Sequence, residues 1–348
     1  MAKNTNNSPR LGIKGALGKA WSGYSYIFIF AIIFVIFLIC NGGATWNGVM
    51  NILRHSGVVG IIALGMGLVI ITGGIDLSVG STLALVGGFS VIIFNLTDSI
   101  LLTLLFALAF GAFCGLVNGL LIGKAKMPAF IVTLATMLIY RSLAQYYCKA
   151  ISPEYTGGTN SVYKAFRELT KYDAFYNIGN GKLLTIPMVG VALLLLTALI
   201  VYVAGNTKLG KKLYAMGSNE KAARLAGVSV DNLTVLVYVI AGLLVGVGAF
   251  LWIGMNASVD PATTGKSYEM YAIAAVVIGG ISMAGGRGKV LGILFGAMSY
   301  TVIDKIIVAL KMDSLINDSI KGVILIVAIL VQTAGPMLRD KLRSMKKK

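Results

Sequence analysis

Apolar residues in this chain fall in long unbroken runs, not in the alternation of a half-buried strand or the narrow stripe of a surface helix. Ten runs are long enough to predict membrane-crossing helices: Tyr24–Cys40, Ile52–Thr72, Val79–Asn95, Ile100–Ile122, Met127–Cys148, Leu183–Ala204, Leu233–Met255, Glu269–Met283, Val290–Leu310 and Ile316–Thr333. As a helix, Ile52–Thr72 extends for about 31 Å, close to one hydrocarbon core. Most gaps between runs are short, but 149–182 and 205–232 are not. The pattern predicts an all-α polytopic membrane protein of about ten transmembrane helices. It is organised as a single transmembrane domain, 24–335, between a basic N-terminus, 1–23, and a basic tail, 336–348.

One stretch breaks the apolar rhythm from within. LVIITGGIDLSVGSTLALVGG, Leu68 to Gly88, carries a glycine pair, Gly73 and Gly74, a lone carboxylate, Asp76, and hydroxyls at Thr72, Ser78, Ser81 and Thr82. The connection 73–78 holds no Lys or Arg, unlike an ordinary cytoplasmic loop. It reads as a helix break at membrane depth, tolerated only where protein or a wet cavity covers it. An intramembrane ionisable group is a functional candidate by default. Thr72, Gly73, Gly74, Asp76 and Ser78 are therefore expected to line or shape a polar route. The alternative for Asp76 is to cap the N-terminus of the following helix.

Composition agrees with the pattern. Of 348 residues, 57% are hydrophobic and 12% charged, against about 25% charged in a soluble domain; mean hydropathy is +0.84. The net charge of +17 would suit nucleic acid if it were spread over a surface, but the basic residues cluster between apolar runs and at the tail, so no nucleic-acid partner is expected. They also set orientation. With ten spans both termini share a side, and that side collects Lys3, Arg10, Lys14 and Lys19, the basic residues of 205–232, and the tail. By the positive-inside rule both termini are cytoplasmic. The first run reads as an uncleaved helix because no small-residue cleavage pattern follows it. Cys40, Cys114 and Cys148 lie in or at the ends of apolar runs without metal spacing and read as packing residues. With His55 the only histidine, no metal site is expected.

The long gaps carry the remaining signals. In 149–182, SPEYTGGTN is turn chemistry, VYKAFRELTKYDAF predicts a short amphipathic helix and GNGK closes the loop; a loop of this length with its own helix reads as an extracytoplasmic docking surface. In 205–232, Ser218 as N-cap, Glu220 in the first turn and Gly227 as terminator predict a small-faced helix from Ser218 to Ala226, of a shape that a groove on another protein accepts. Arg141, near the end of the fifth run, either snorkels to headgroups or lines a polar pathway. Asp304 and Lys305 are neighbours in sequence and do not face each other on a helix; pairing across helices is one reading of them. GGISMAGGRGKVLGILFGA is not a nucleotide loop, because Lys289 precedes Val290, not Ser or Thr. Its glycines predict a tight turn and then a small-residue helix face at Gly292 and Gly296. GGI recurs at Gly73–Ile75 and Gly279–Ile281, which reads as coincidence.

The string IITGGIDLSVGS resembles the signature of the permease subunits of bacterial ATP-binding cassette importers for simple sugars, the ribose/galactose/xylose permease family, and the likeness extends from about Ile52 to Val331. Ala222, Ala223 and Gly227 fit that class's cytoplasmic loop of two alanines and a later glycine. The family's acid position holds Lys221, with Glu220 one residue earlier. The resemblance implies a non-catalytic transport subunit in the cytoplasmic membrane, moving a monosaccharide by alternating access. It implies a coupling helix (Ser218, Glu220, Lys221, Ala222, Ala223, Gly227) seated on a cytoplasmic ATP-binding cassette ATPase. That partner, not this chain, binds ATP and magnesium. The further implied partners are an extracytoplasmic sugar-binding protein, a second permease subunit (the same chain or a related one) and lipid. Two other readings of the residues are an ion-coupled secondary carrier with a broken helix, and an importer permease for nucleosides or another small polar solute.

Overall fold

The computed structural model describes residues 13–158, 160–313 and 316–330; the predicted tail 336–348 and the first twelve residues lie outside them. The chain is helical almost throughout. In order come α1 (Ile13–Cys40), α2 (Trp46–Ile71), α3 (Val79–Thr97), α4 (Ile100–Gly123), α5 (Ala129–Ala150), the single turn α6 (Pro153–Thr156), strand β1 (Tyr163–Lys164) and α7 (Tyr172–Asn180). Strands β2 (Lys182–Leu183) and β3 (Ile186–Pro187) lead into α8 (Met188–Asn206), α9 (Lys208–Ser218), α10 (Glu220–Leu225) and α11 (Val230–Asn256). Strand β4 (Ser258–Val259), α12 (Tyr268–Ile278) and α13 (Leu291–Ala309) follow, and residues 317–330 are helical. Among the described residues, seven helices are long and apolar enough to cross a membrane, and the apolar segments Tyr24–Cys40 and Tyr268–Ile278 are shorter.

Helix α2 occupies the centre. Thr45 Oγ1 accepts the Gly48 amide at 3.1 Å and starts the helix. The apolar run behind it is buried all round: 83% of its most hydrophobic window lies inside the protein, against 28% for α4 and α5. Helices α8, α11, α12 and α13 pack around it. A helix apolar on every face is expected in such a core position.

The most extensive helix pairing is α4 against α11. GAFCGLVNGLLIG places Gly111, Gly115, Gly119 and Gly123 on one face of α4. A Cβ at Gly111 would lie 2.4 Å from the Gly242 carbonyl oxygen, and one at Gly115 2.1 Å from that of Tyr238. Glycine at each fourth position is what lets these two backbones touch. The predicted small-residue face at Gly292 and Gly296 does the same for α13, against Gly279 and Ala275 of α12.

The eighth predicted span is shorter than its apolar run. Helix α12 has 11 residues, about 16 Å of rise, and stops where Gly280 takes φ +81°. The Gly280 amide then bonds Val277 O and the Ile281 amide bonds Val276 O, closing the helix end. Helix α2 ends in the same way, with Gly73 N–H on Ile70 O and Gly74 N–H on Val69 O. The two ends match with Gly73 opposite Gly280, one place out of register with the GGI repeat, so the shared letters are a coincidence although the shared turn is real.

The segment predicted as one amphipathic helix within 162–175 divides instead. Tyr163 is drawn into a ladder with Val259, its side chain fully buried and its hydroxyl donating to Ala144 O at 2.8 Å. Only from Tyr172 does the chain turn helical, and Phe175 then stacks between Phe94 and Phe250, each with ring centroids 4.9 Å away. Pairing and aromatic burial outweigh the local helical period. Arg141 Nη1 donates to Pro261 O and Thr264 O at 2.9 and 2.6 Å and pins the loop after β4. Asp304 pairs across helices, with Lys321 at 2.6 Å.

Candidate functional site: a helix break joined to a surface foot

Residues 72–78 leave the helical path between α2 and α3. Thr72 ends α2 and turns its hydroxyl back onto Val69 O at 2.7 Å. Gly73 takes φ +85°, a conformation that costs a residue with a Cβ. The backbone then passes inward. Asp76 and Ser78 are 3% and 1% exposed. Asp76 Oδ1 accepts the Ser78 amide at 2.9 Å and the Ser78 hydroxyl at 2.6 Å. Ser78 Oγ in turn accepts Asn118 Nδ2 of α4 at 2.9 Å, and the Tyr238 hydroxyl of α11 donates to Ile75 O at 2.8 Å. Ser78 is the N-cap residue of α3 but makes no side-chain cap bond. The Asp76 carboxylate therefore holds the residue that caps α3 instead of capping the helix itself.

The predicted short helix is present as α10, but its start moves. Ser218 is the last residue of α9, a helix the sequence left within the loop 205–232, and Asn219 is the N-cap, its Oδ1 accepting the Ala222 amide at 2.9 Å. Gly227 terminates the helix at φ +79°. Its amide bonds Arg224 O and the Val228 amide bonds Ala223 O, the paired closure a left-handed glycine permits. Ala223 faces inward, while Lys221, Ala222 and Gly227 are exposed, and Leu225 stands 91% exposed at the tip. Glu220 is engaged within the chain: Arg224 donates to Glu220 Oε1 at 2.9 Å and to Asp231 Oδ1 at 2.7 Å, and Asp231 also pairs with Lys126. Hydrogen bonding to Asp231 and Glu220 raises the Arg224 pKa above its ordinary value.

Break and foot meet. A Cβ at Gly217, one residue before the end of α9, would lie 1.8 Å from Ile71 O, the last residue of α2. That same carbonyl accepts the Gly286 amide at 2.8 Å. Tyr214 of α9 donates to Gly288 O at 2.8 Å. The glycine turn 285–288, the end of α2 and the end of α9 thus form one junction of backbone on backbone. Beside it opens a cavity of about 260 Å³, with Thr72, Gly73 and Gly74 on one wall, Glu220 and Arg224 on another, and Tyr238 and Lys126 between. Of the five predicted pathway residues, three reach this cavity; Asp76 and Ser78 are buried behind it.

Sequence reasoning did not single out Asn118 or Tyr238. Asn118 was detectable as the one amide within the apolar run of α4. Tyr238 carries no such mark, and its role appears only when α11 lies against the break. Among the described residues no group of three or more His, Cys, Asp or Glu could hold a metal ion.

Comparison with known proteins gives a consistent result. Residues 48–329 match the family described as branched-chain amino acid transport system / permease component. The chain is 36% identical over 319 residues to the ribose import permease protein RbsC of Escherichia coli K12, covering 90% of this chain and 94% of that protein. It is 34% identical over 286 residues to the fructose import permease protein FrcC of Rhizobium meliloti, covering 80% and 76%. It is 33% identical over 296 residues to the galactose/methyl galactoside import permease protein MglC of Haemophilus influenzae, covering 81% and 85%. No solved structure matches.

Proposed function

The chain belongs to the permease-component family matched over 48–329, and from that premise we propose that it carries a monosaccharide across the cytoplasmic membrane as a subunit of an ATP-driven importer. It is a non-catalytic transport subunit. Relatives named for ribose, fructose and galactose import support a monosaccharide over a nucleoside or an amino acid. Its partners are a cytoplasmic ATPase, which holds the ATP and magnesium, a sugar-binding protein on the opposite face and a second permease subunit. The foot, α9 and α10, lies on the cytoplasmic side, where the basic residues of 205–232 favour it.

The observation that carries this reading is the junction of foot and break. A transporter without an ATP site needs a rigid contact through which a motor can push. Here the push from α10 reaches the end of α2 through Gly217 and Gly286, without a flexible side chain in the line. Alternating access then follows as a rocking of α2 and its neighbours about the non-helical segment 72–78. Hinges of this kind are a few residues at element ends that absorb the backbone change. The cavity beside the hinge is the inward end of the route. Thr72, Gly73 and Gly74 line it with their own donors already bonded to the end of α2, so they would hold a cargo weakly, which suits a conduit that must release it.

The test is reconstitution with the cognate ATPase and sugar-binding protein in liposomes. Labelled sugar should accumulate only with ATP on the ATPase side, and should continue when a protonophore collapses the proton gradient. Uptake that stops with the gradient while ATP remains would instead identify an ion-coupled carrier.

A further inference from the structure

At the far end of α2 from the foot lies a second cavity, of about 310 Å³, that the transport mechanism does not use. Asn47, Asn51 and Arg54 reach it from one face of α2, and Asn180 and Lys182 close it from α7 and β2. Two cations and three amides line it, with no carboxylate among its lining residues. Arg54 Nη2 donates to Asn180 Oδ1, and Asn180 Nδ2 is itself tied to Gly254 O at 3.0 Å, so the guanidinium is held in place. The first turn of α2 adds the positive end of a 26-residue helix. Two cations, three amides and a helix N-terminus, with no carboxylate, are the lining that favours an anion with several acceptor oxygens.

What flanks the cavity identifies its carrier. Trp46, in the first turn of α2, is 59% exposed. The β2–β3 hairpin on the other side turns at Leu184 and Thr185, and Leu183 and Leu184 are 56% and 93% exposed. An exposed tryptophan and an apolar hairpin tip beside a lysine are the residues found where protein meets the headgroup layer. A soluble ligand would gain nothing from them, whereas a lipid would place its phosphate in the cavity and its glycerol and upper acyl chains against Trp46 and Leu184. We propose that this cavity binds the phosphodiester of an anionic phospholipid in the leaflet opposite the foot.

The full-length chain, purified and exchanged into nanodiscs of phosphatidylcholine with or without phosphatidylglycerol, provides the test. Native mass spectrometry should show phosphatidylglycerol retained through delipidation in preference to phosphatidylcholine. Lys182→Gln, on an exposed hairpin that the fold does not lean on, should weaken that retention roughly fivefold, as should Arg54→Gln. Leu184→Ser should weaken it with both cations in place. Equal retention of the two lipids, or retention unchanged in Lys182→Gln, would overturn the proposal. So would displacement of the lipid by millimolar inorganic phosphate alone, which would mark a free-anion site. Loss of affinity for an acidic binding protein in Lys182→Gln, with lipid retention intact, would make this a docking surface and equally overturn it.

Discussion

Ser78 stands at the middle of a buried polar chain, giving its hydroxyl proton to Asp76 and accepting one from Asn118. Ser78→Ala leaves both neighbours short of a partner in a site from which water is excluded. The expected loss is about 1–3 kcal/mol, read as a lower unfolding temperature in detergent with the helical spectrum retained. A change under about 0.5 kcal/mol would show that the chain contributes little to the break. Asp260, in the loop pinned by Arg141, gives a pH prediction. Burial alone would raise its pKa, but hydrogen bonds from Thr263 Oγ1 and the Ala262 amide, with Arg141 nearby, leave it below the usual carboxylate value. A folded-state pKa below the unfolded one contributes stability that is complete above about pH 4 and is lost as pH falls through the folded value. A spin label at Lys266 should therefore become more mobile on acidification below about pH 4, and constant mobility would count against the assignment. Asp76 was visible in the sequence because a carboxylate in an apolar run is costly to keep. Asn118 and Tyr238 were less so, since a polar side chain declares its partner only after the helices are placed.

At the scale of elements, apolar run length was a good guide where a helix is buried all round and a poorer one where backbone geometry or a distant partner decides. The break at 72–78 was legible from its glycine pair. The early end of α12 depends on how Gly279 and Gly280 close a helix, which an apolar count does not weigh. Tyr163 left a helical pattern because Val259, far away in sequence, offers it a strand partner. The N-cap of α10 shifted by one residue, because Ser218 is the last residue of α9 and Asn219 is left to cap the next helix. The tip of α10 supplies the prediction at this scale. Leu225 is almost fully exposed on a soluble-facing turn, and Glu220, the one acid beside the alanines, is already paired within the chain. Under the proposed function, attachment to the ATPase rests on Leu225 with the exposed Ala222 and Ala226, and on Lys221 as the charge beside them. Leu225→Ser should lower co-purification of the ATPase by about tenfold, the scale of a central interface anchor, and leave the permease's own unfolding temperature unchanged. Undiminished co-purification would remove the anchor role.

The whole molecule is arranged as a buried rod in a looser belt. The middle of α2, Ile61 to Leu64, is wholly inaccessible, while α4, α5 and α8 turn most of their apolar surface outward. Ile62→Ala should therefore cost about 2–5 kcal/mol as a cavity in a core that cannot collapse, whereas Leu195→Ala, on the outward face of α8, should stay within about 0.5 kcal/mol; thermal unfolding of the two variants side by side checks the ordering. The arrangement also has a mechanical consequence. Packed interiors transmit displacement instead of absorbing it, and α2 is a single uninterrupted helix. One of its ends is seated on the foot formed by α9 and α10, and the other borders the cavity of Arg54 and Lys182. If the foot takes the motor's push and the cavity holds a lipid phosphate, as proposed above, a shove at Ile71 is delivered along α2 to Arg54, and a bilayer rich in negative headgroups becomes a brake or a counterweight on the stroke.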